Sequence, residues 1–410
     1  MRWLDIFQNR NKQSRWDWHL FLYFLNVFLI VYGYGLRDQI FLAVKMLRMG
    51  IVSASLIGLL FALPQGIFRF DKRKNWVVYG FLLLNIVVLP FSVDFVRSIE
   101  RIAAWIPFLI YTNYFVVYLF TRYTKDEAKI KLLQVYSLAY FYPVALMFAY
   151  GIMFQTENIY GQTIGSYRTN VLGWACAFFI LTSFDLYANY PIPKWMRILF
   201  FIAVLLSLWG IVLTGSRSSY ASLALGTMVL VLRSNQVSRG LKVAASIFIL
   251  GFAYYIINSA DSVVNLRASY ADIRHQRGEI RFKLAETATN TFLDNPLLLI
   301  TGFGFDGFQK GLKYYAGVKT DLAPHNSYLE IFFSSGILAF LFFMVFFAGN
   351  AVWKYLRFDS QHFVFFPMLL IVPYFESNLN AGQFLFFPWM TILFYYIHVS
   401  SLQFRIANIE

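Results

Sequence analysis

The sequence predicts an all-α polytopic membrane protein with about twelve transmembrane helices and one long outer loop. Three observations predict it. Of the 410 residues, 59% are hydrophobic and 14% charged, where a soluble domain carries about 25% charged residues. Apolar runs of near-spanning length recur along the chain. Lys and Arg collect in alternate loops between those runs.

A spanning helix needs roughly 20 mostly apolar residues. Met1 to Asp17 is polar and basic, and the first apolar run lacks a small-residue cleavage pattern, so no cleavable signal peptide is expected. The runs then fall at 18–35, 45–67, 76–93, 100–120, 132–152, 170–188, 197–214, 218–232, 242–258, 327–349, 362–376 and 384–400. With the N-terminus in the cytoplasm, the short inner loops carry about nineteen Lys and Arg and the short outer loops about seven. The bias places both termini inside and residues 259–326 outside. The chain therefore divides into 1–258 with nine membrane helices, the periplasmic loop 259–326, and 327–410 with three helices and a cytoplasmic tail.

The net charge of +14 is distributed in loops between apolar segments, which argues for a membrane topology signal rather than a nucleic-acid surface. One cysteine, Cys176, excludes an intrachain disulfide and a cysteine-based metal site. Forty-six Phe, 27 Tyr and 10 Trp supply lipid-facing and interfacial anchors.

Within the long loop, Phe282, Leu284, Ala285, Ala288 and Phe292 have helical spacing, and Asp294-Asn295-Pro296 stops that helix. Thr301 to Phe308 reads Thr-Gly-Phe-Gly-Phe-Asp-Gly-Phe. It lacks the Lys-Ser/Thr ending of a phosphate loop, and no strand is expected before it. Its aromatic residues Phe303, Phe305 and Phe308, with Tyr314 and Tyr315, either stack on sugars or pack the loop.

The most informative stretch is Asp321 to Gly336. His325 follows Pro324 at the end of the polar loop and precedes the apolar run Ile331 to Gly349. A neutral imidazole accepts a proton from a hydroxyl near pH 7. The alternative is a histidine that hydrogen-bonds the backbone at a helix start. Glu330 lies five residues on, either orienting the site or facing water. Arg217 sits in a tight outer turn among Gly215, Ser216, Ser218 and Ser219, small residues that leave room for an anion. The alternative is an arginine that snorkels to the surface. Arg281 is expected near the start of the loop helix, where a cation opposes the helix dipole unless an anion is bound. Arg274, Arg277 and Lys283 are close enough to share its role. Arg168, at the outer start of the sixth segment, is a weaker candidate. The outer carboxylates Asp261, Asp272, Glu279, Asp294, Asp306 and Asp321 lack ligand spacing, so no metal site is indicated. No cofactor is indicated either. One histidine and several arginines suit displacement of an anionic leaving group.

This pattern resembles the O-antigen ligase and O-antigen polymerase superfamily of bacterial envelope proteins. The resemblance rests on Thr214-Gly-Ser-Arg217, on Arg281 upstream of Asn295-Pro296-Leu297 and Gly302-Phe-Gly, and on Pro324-His-Asn-Ser-Tyr-Leu-Glu330 before a membrane helix. It implies a GT-C type glycosyltransferase of the inner membrane, with undecaprenyl-pyrophosphate-linked glycan as donor on the periplasmic face. It implies His325 as general base, Arg217 and Arg281 as the pyrophosphate grip, and inversion without metal. A ligase transfers to a lipid A-core sugar, giving lipopolysaccharide; a polymerase transfers to a second lipid-linked repeat unit. The chain length and the single dominant loop favour the ligase. A lipid-linked oligosaccharide transporter would instead carry ionisable residues at the midplane of many helices, and only Asp185 and Glu376 answer to that.

Overall fold

The computed structural model describes residues 17–34, 38–63, 72–154, 163–164, 167–189, 194–214, 217–233, 271–319, 326–358 and 386–406, with parts of 238–254. The described residues are helical almost throughout. Three helical stretches are long and apolar enough to cross a membrane: Ala43–Ala62, Phe95–Arg122 and Ser327–Leu356. Shorter apolar helices lie at Trp18–Val31, Tyr79–Phe91, Leu172–Leu186, Arg197–Ile211 and Ser219–Val229. The expected eleventh segment, 362–376, and Glu376 lie outside the described residues, as does most of the ninth.

The chain forms two compact units, one of residues 1–55, 121–271 and 360–372 and the other of 56–120, 272–359 and 373–410. The first unit holds α1 (Trp18–Tyr34), α5 (Lys125–Phe154), α6 (Thr169–Asn189), α7 (Lys194–Thr214) and α8 (Arg217–Arg233). α2 (Asp38–Ala62) spans the division between the units. α6 is the hub, packed against α5, α7 and α8. Its run from Trp174 to Leu181 is buried on all sides, as an all-apolar helix must be. Caps follow the sequence rules. Asp17 Oδ1 accepts from Leu20 N at 3.0 Å to start α1. Thr124 and Glu127 form a reciprocal capping box at the start of α5. Tyr123 donates to Asp17 Oδ2 at 2.7 Å, tying the start of α1 to the segment before α5. Asp185 is buried opposite Lys129 at 3.8 Å. The lysine supplies the charge partner that a buried carboxylate needs.

A two-residue antiparallel hairpin, β1 (Thr163–Ile164) with β2 (Tyr167–Arg168), leads into α6. Two residues per strand leave no alternation to detect, so no sequence pattern marks it.

The second unit holds α3 (Lys72–Val88), a short 3-10 turn (Leu89–Phe91), most of α4 (Phe95–Arg122) and most of α9 (Ala271–Asp294). It continues with α10 (Pro296–Thr301), α11 (Phe308–Ala316), α12 (Ser327–Phe342), a π-helical turn (Phe343–Gly349), α13 (Asn350–Phe358) and α14 (Phe386–Ile406). Leu284, Ala288 and Phe292 recur every fourth residue on α9. They meet Leu298, Phe303, Phe308, Leu312 and Phe333 in one buried cluster. Phe303 and Phe308 are therefore packing residues, and Phe305 is buried against Trp105, whereas Tyr314 is 73% exposed and Tyr315 39%. His398 Nε2 on α14 lies 2.7 Å from Asn113 Oδ1 on α4, a helix-to-helix contact.

Two glycines decide how α10 meets α12. α12 is interrupted at Gly336, with φ 74° and ψ 174°. Gly302, which ends α10, has φ 69° and ψ −174°. Both occupy a region essentially reserved for glycine. A Cβ on Gly336 would lie 2.0 Å from Ile300 O, and one on Gly302 would lie 2.4 Å from Ser334 O. The two chains thus cross with no room for side chains. The break frees carbonyls that a continuous helix would use internally. Phe303 N–H donates to Phe333 O at 2.7 Å and Gly304 N–H to Ser334 O at 3.0 Å. The glycine run is a backbone crossing that follows a helix.

Candidate active site

α12 begins where Asn326 caps it. Its Oδ1 accepts from Tyr328 N at 3.0 Å and from Leu329 N at 3.1 Å. The backbone donors that a helix-start histidine would satisfy are thus already taken by the neighbouring asparagine. His325 itself lies outside the described residues.

The other predicted residues fall at identifiable places. Arg168 ends β2 and Arg217 is the first residue of α8, both in the first unit. Arg281 and Glu330 belong to the second. Arg281 corrects one expectation. α9 starts at Ala271, so Arg281 lies in mid-helix and the helix-dipole argument does not apply to it. The sequence reading began the helix where apolar spacing begins, but Asp272 to Glu279 is helical without that spacing. The helix does stop at Asp294, as Asn295-Pro296 requires.

Glu330, in the first turn of α12, lines a cleft with Trp105, Phe305, Asp306, Ser327, Ile331 and Ser334. The cleft is small, about 10 Å³, room for roughly one water molecule. None of the predicted arginines lines it. Of its other residues, Phe305 and Asp306 carry a sequence signal only as a loop aromatic and an outer carboxylate, and Trp105, Ser327 and Ser334 carry none.

The cleft is built from two segments far apart in sequence. α4 supplies Trp105, whose ring meets Phe305 edge-on at 5.4 Å. Asp306 sits in a left-handed backbone conformation, φ 62°, which aspartate tolerates better than most residues. Its Oδ2 accepts from Arg97 Nε at 2.9 Å and from Arg101 Nε at 2.7 Å. Arg97 and Arg101 are one helical turn apart, so both reach one carboxylate. Ser98 Oγ donates to Phe305 O at 3.1 Å, and Val93 N–H to Phe303 O at 3.0 Å. Lys310 on α11 pairs with Asp94. That hydrogen bond from Lys310 holds the Asp94 carboxyl below the usual carboxylate range, aided by Arg97's backbone N–H and by the nearby positive charges, against the opposing effect of burial.

Ser334 is 3% exposed, and its Oγ has no hydrogen-bond partner among the described residues. Some helical Ser and Thr turn back onto the carbonyl four residues earlier, Ser207 onto Ala203 O at 2.7 Å and Thr112 onto Phe108 O at 2.6 Å, whereas the buried hydroxyls of Ser55, Ser137, Ser183 and Ser335 share the state of Ser334. An unsatisfied buried hydroxyl costs about 1–3 kcal/mol. No group of three or more His, Cys, Asp or Glu that could hold a metal ion occurs among the described residues.

Two comparisons bear on the site. Residues 202–344 match the model of a family described as O-antigen ligase. That stretch contains Arg217, Arg281, His325 and Glu330, and Arg168 lies before it. No curated protein matches the chain.

Proposed function

We propose, from the O-antigen ligase family match over residues 202–344, that this membrane protein is an O-antigen ligase. In this reading it moves a glycan from undecaprenyl pyrophosphate to a lipid A-core sugar, on the periplasmic side of the inner membrane. The carrying observation is that the matched stretch encloses His325, Arg217 and Arg281, the base and the two cations that such a transfer requires. Residues 1–258 and 327–410 then carry the membrane helices, with both termini cytoplasmic, and 259–326 is the outer loop.

The chemistry follows from those residue types. His325 accepts the proton of the acceptor hydroxyl as its oxygen attacks the anomeric carbon of the donor. The bond from that carbon to the pyrophosphate oxygen breaks, and undecaprenyl pyrophosphate leaves with the electron pair. Arg217 and Arg281 neutralise the charge that develops on it, and Arg168 contributes a further cation. Attack opposite the leaving group inverts the anomeric centre. No metal is invoked, because the arginines supply the positive charge.

The test is the glycolipid profile of a strain lacking the protein, complemented with wild type or variants. Long glycan stranded on undecaprenyl pyrophosphate with bare lipid A-core supports the ligase. Core capped by a single repeat identifies a polymerase instead. An unaltered profile overturns both. His325→Ala should lower transfer about 10²–10⁴-fold at normal protein level, and Arg217→Ala and Arg281→Ala should also reduce it strongly.

A further inference from the structure

The exposed surface of the long loop changes character along the chain. α9 exposes Lys283, Glu286, Thr289 and Asn290, the polar face that a helix in water shows opposite its buried stripe. From Leu293 onward the exposed residues turn apolar. Leu293 is 70% exposed, and on α10 Leu297, Leu299 and Ile300 are 58%, 38% and 48% exposed. Asp294, at the corner between the helices, is the one exposed charge from Leu293 to Thr301. α10 buries Leu298 and Thr301 on its other side. Both sides of this short helix are thus apolar, where a surface helix in water keeps its outer side polar. Its polar groups turn inward. Pro296 has no N–H to leave unpaired at the helix start. Leu298 N–H donates to Asn295 O at 2.9 Å, Asn295 Nδ2 to Thr291 O at 2.9 Å and Thr301 Oγ1 to Leu297 O at 3.1 Å. Internal pairing of this kind is what a segment in lipid requires.

Three contacts fix the level of α10 against the spanning helices. The crossing of Gly302 with Gly336 sets the end of α10 against α12. Gly336 lies six residues past Glu330, about 9 Å along the helix at about 1.5 Å per residue. Just beyond the crossing, α12 exposes Leu338, Leu341 and Val345, the apolar flank of a spanning segment. Val93 N–H donates to Phe303 O at 3.0 Å, so Phe303 lies at the turn that joins α3 to α4. Phe303 also stacks on Tyr315 at 6.0 Å, which brings the exposed Lys313, Tyr314 and Tyr315 of α11 to the same neighbourhood. Tyrosine and lysine are residues of the membrane–water boundary.

We propose that α10 and the end of α9 are seated in the membrane, in the leaflet on the loop's own side, with Leu297, Leu299 and Ile300 against lipid acyl chains. The depth of about 9 Å below Glu330 falls in the roughly 5–10 Å to which interfacial helices bury their apolar face. The long loop is then anchored in the bilayer rather than standing clear of it. The seat is independent of the proposed reaction. It holds the segment that leads to His325 at headgroup level, where the phosphate of a lipid-linked donor lies.

The experiment uses the full chain in nanodiscs of phosphatidylethanolamine and phosphatidylglycerol. Leu297→Cys, Leu299→Cys and Ile300→Cys are each labelled with a nitroxide. Glu286→Cys on α9 is the water reference and Leu338→Cys on α12 the lipid reference. The unsubstituted chain, whose Cys176 is buried, sets the labelling background. Power-saturation EPR reads collisions with oxygen, which concentrates in lipid, and with a water-soluble nickel chelate. The oxygen-to-nickel collision ratio on α10 should approach that at Leu338 and exceed that at Glu286 by about tenfold, because hydrocarbon excludes a polar chelate. Three positions on the exposed side keep the result readable should one variant fail to assemble by size-exclusion profile. Nickel collisions on α10 as frequent as at Glu286 would put the helix in water and overturn the seat. Rare collisions with both reagents would mean that protein covers this face, a second copy or another chain, and would overturn lipid as its occupant.

Discussion

The crossing of Gly302 over Gly336 can be tested by adding one methyl group. Gly336→Ala forces a side chain onto φ 74°, ψ 174°, a conformation costing of order 1–3 kcal/mol for any residue but glycine. The new Cβ would also sit 2.0 Å from Ile300 O and 2.5 Å from Ile300 C. Backbone atoms cannot swing aside, so the segment after Ile300 must withdraw by roughly an ångström or more to reach van der Waals distance. That withdrawal breaks the Phe303-to-Phe333 and Gly304-to-Ser334 hydrogen bonds, 2.7 and 3.0 Å long, each contributing about 1 kcal/mol net. The sum is about 3–5 kcal/mol. At about 2–4 °C per kcal/mol for a folding unit of 150–250 residues, the midpoint should fall by about 6–20 °C. Thermal unfolding in one detergent at one scan rate measures it, since unfolding of such proteins is often irreversible. Gly317→Ala is the control. Gly317 also has positive φ, 69°, but nothing lies within 4 Å of its added Cβ. It should cost only the left-handed conformation, about 1–2 kcal/mol. A Gly336→Ala midpoint no lower than that of Gly317→Ala would refute the close crossing.

Two further predictions concern the charges around the same loop. Asp306→Asn keeps the shape but removes the acceptor charge shared by Arg97 and Arg101. Those side chains are 39% and 35% exposed, so solvent screening reduces the loss to about 1–2 kcal/mol. The loss should shrink in high salt, and an equal midpoint for variant and wild type at low salt would contradict the bridge. Lys310→Gln tests Asp94. The folded carboxyl is held below its ordinary range, first by Lys310. Its stabilisation is therefore present in full above the unfolded value of about 3.9 and is lost as pH falls through the folded value. The midpoint difference between wild type and Lys310→Gln should be constant from about pH 5 to 8 and should vanish in acid. A difference that grows in acid would reverse the assigned sign.

What the sequence made legible followed from local signals. Hydropathy placed most of the described helices, because bilayer thickness sets a length that a residue window can detect. Asp294-Asn295-Pro296 placed the end of α9, because proline cannot continue a helix. Pro324-His-Asn placed the start of α12, one residue after the asparagine cap. The cleft was illegible for the opposite reason. Arg97 and Arg101 stand 209 and 205 residues from Asp306, and no local pattern marks a contact over such a separation. Asp306 lacks ligand spacing with the other outer carboxylates, and nothing local marks Ser334 within its apolar run. The aromatic residues of the loop were ambiguous because packing and sugar stacking select the same side chains. Burial separates them, with Phe303, Phe305 and Phe308 inside and Tyr314 outside.

The placement of positive charge bears on how the proposed reaction divides its labour. Arg97 and Arg101 are outer-loop arginines by sequence, as eligible to grip pyrophosphate as any other. Asp306 removes them from that role, because a pyrophosphate would have to displace a carboxylate already held by both guanidinium groups. Their work is to fix the Phe303–Asp306 loop against α4. The leaving-group charge then falls to cations outside this cluster, which is where Arg217 and Arg281 stand in the proposal. The two sets should therefore show opposite kinetic signatures. Arg97→Gln should lower stability by loosening the Phe303–Asp306 loop, with little change in the rate at saturating substrate. Arg217→Gln should lower that saturating rate by orders of magnitude with stability unchanged, because a cation that acts only on developing charge contributes to the transition state. Steady-state kinetics on the two purified variants decide it. Equal loss of saturating rate in both would show that Asp306 does not take Arg97 out of the chemistry.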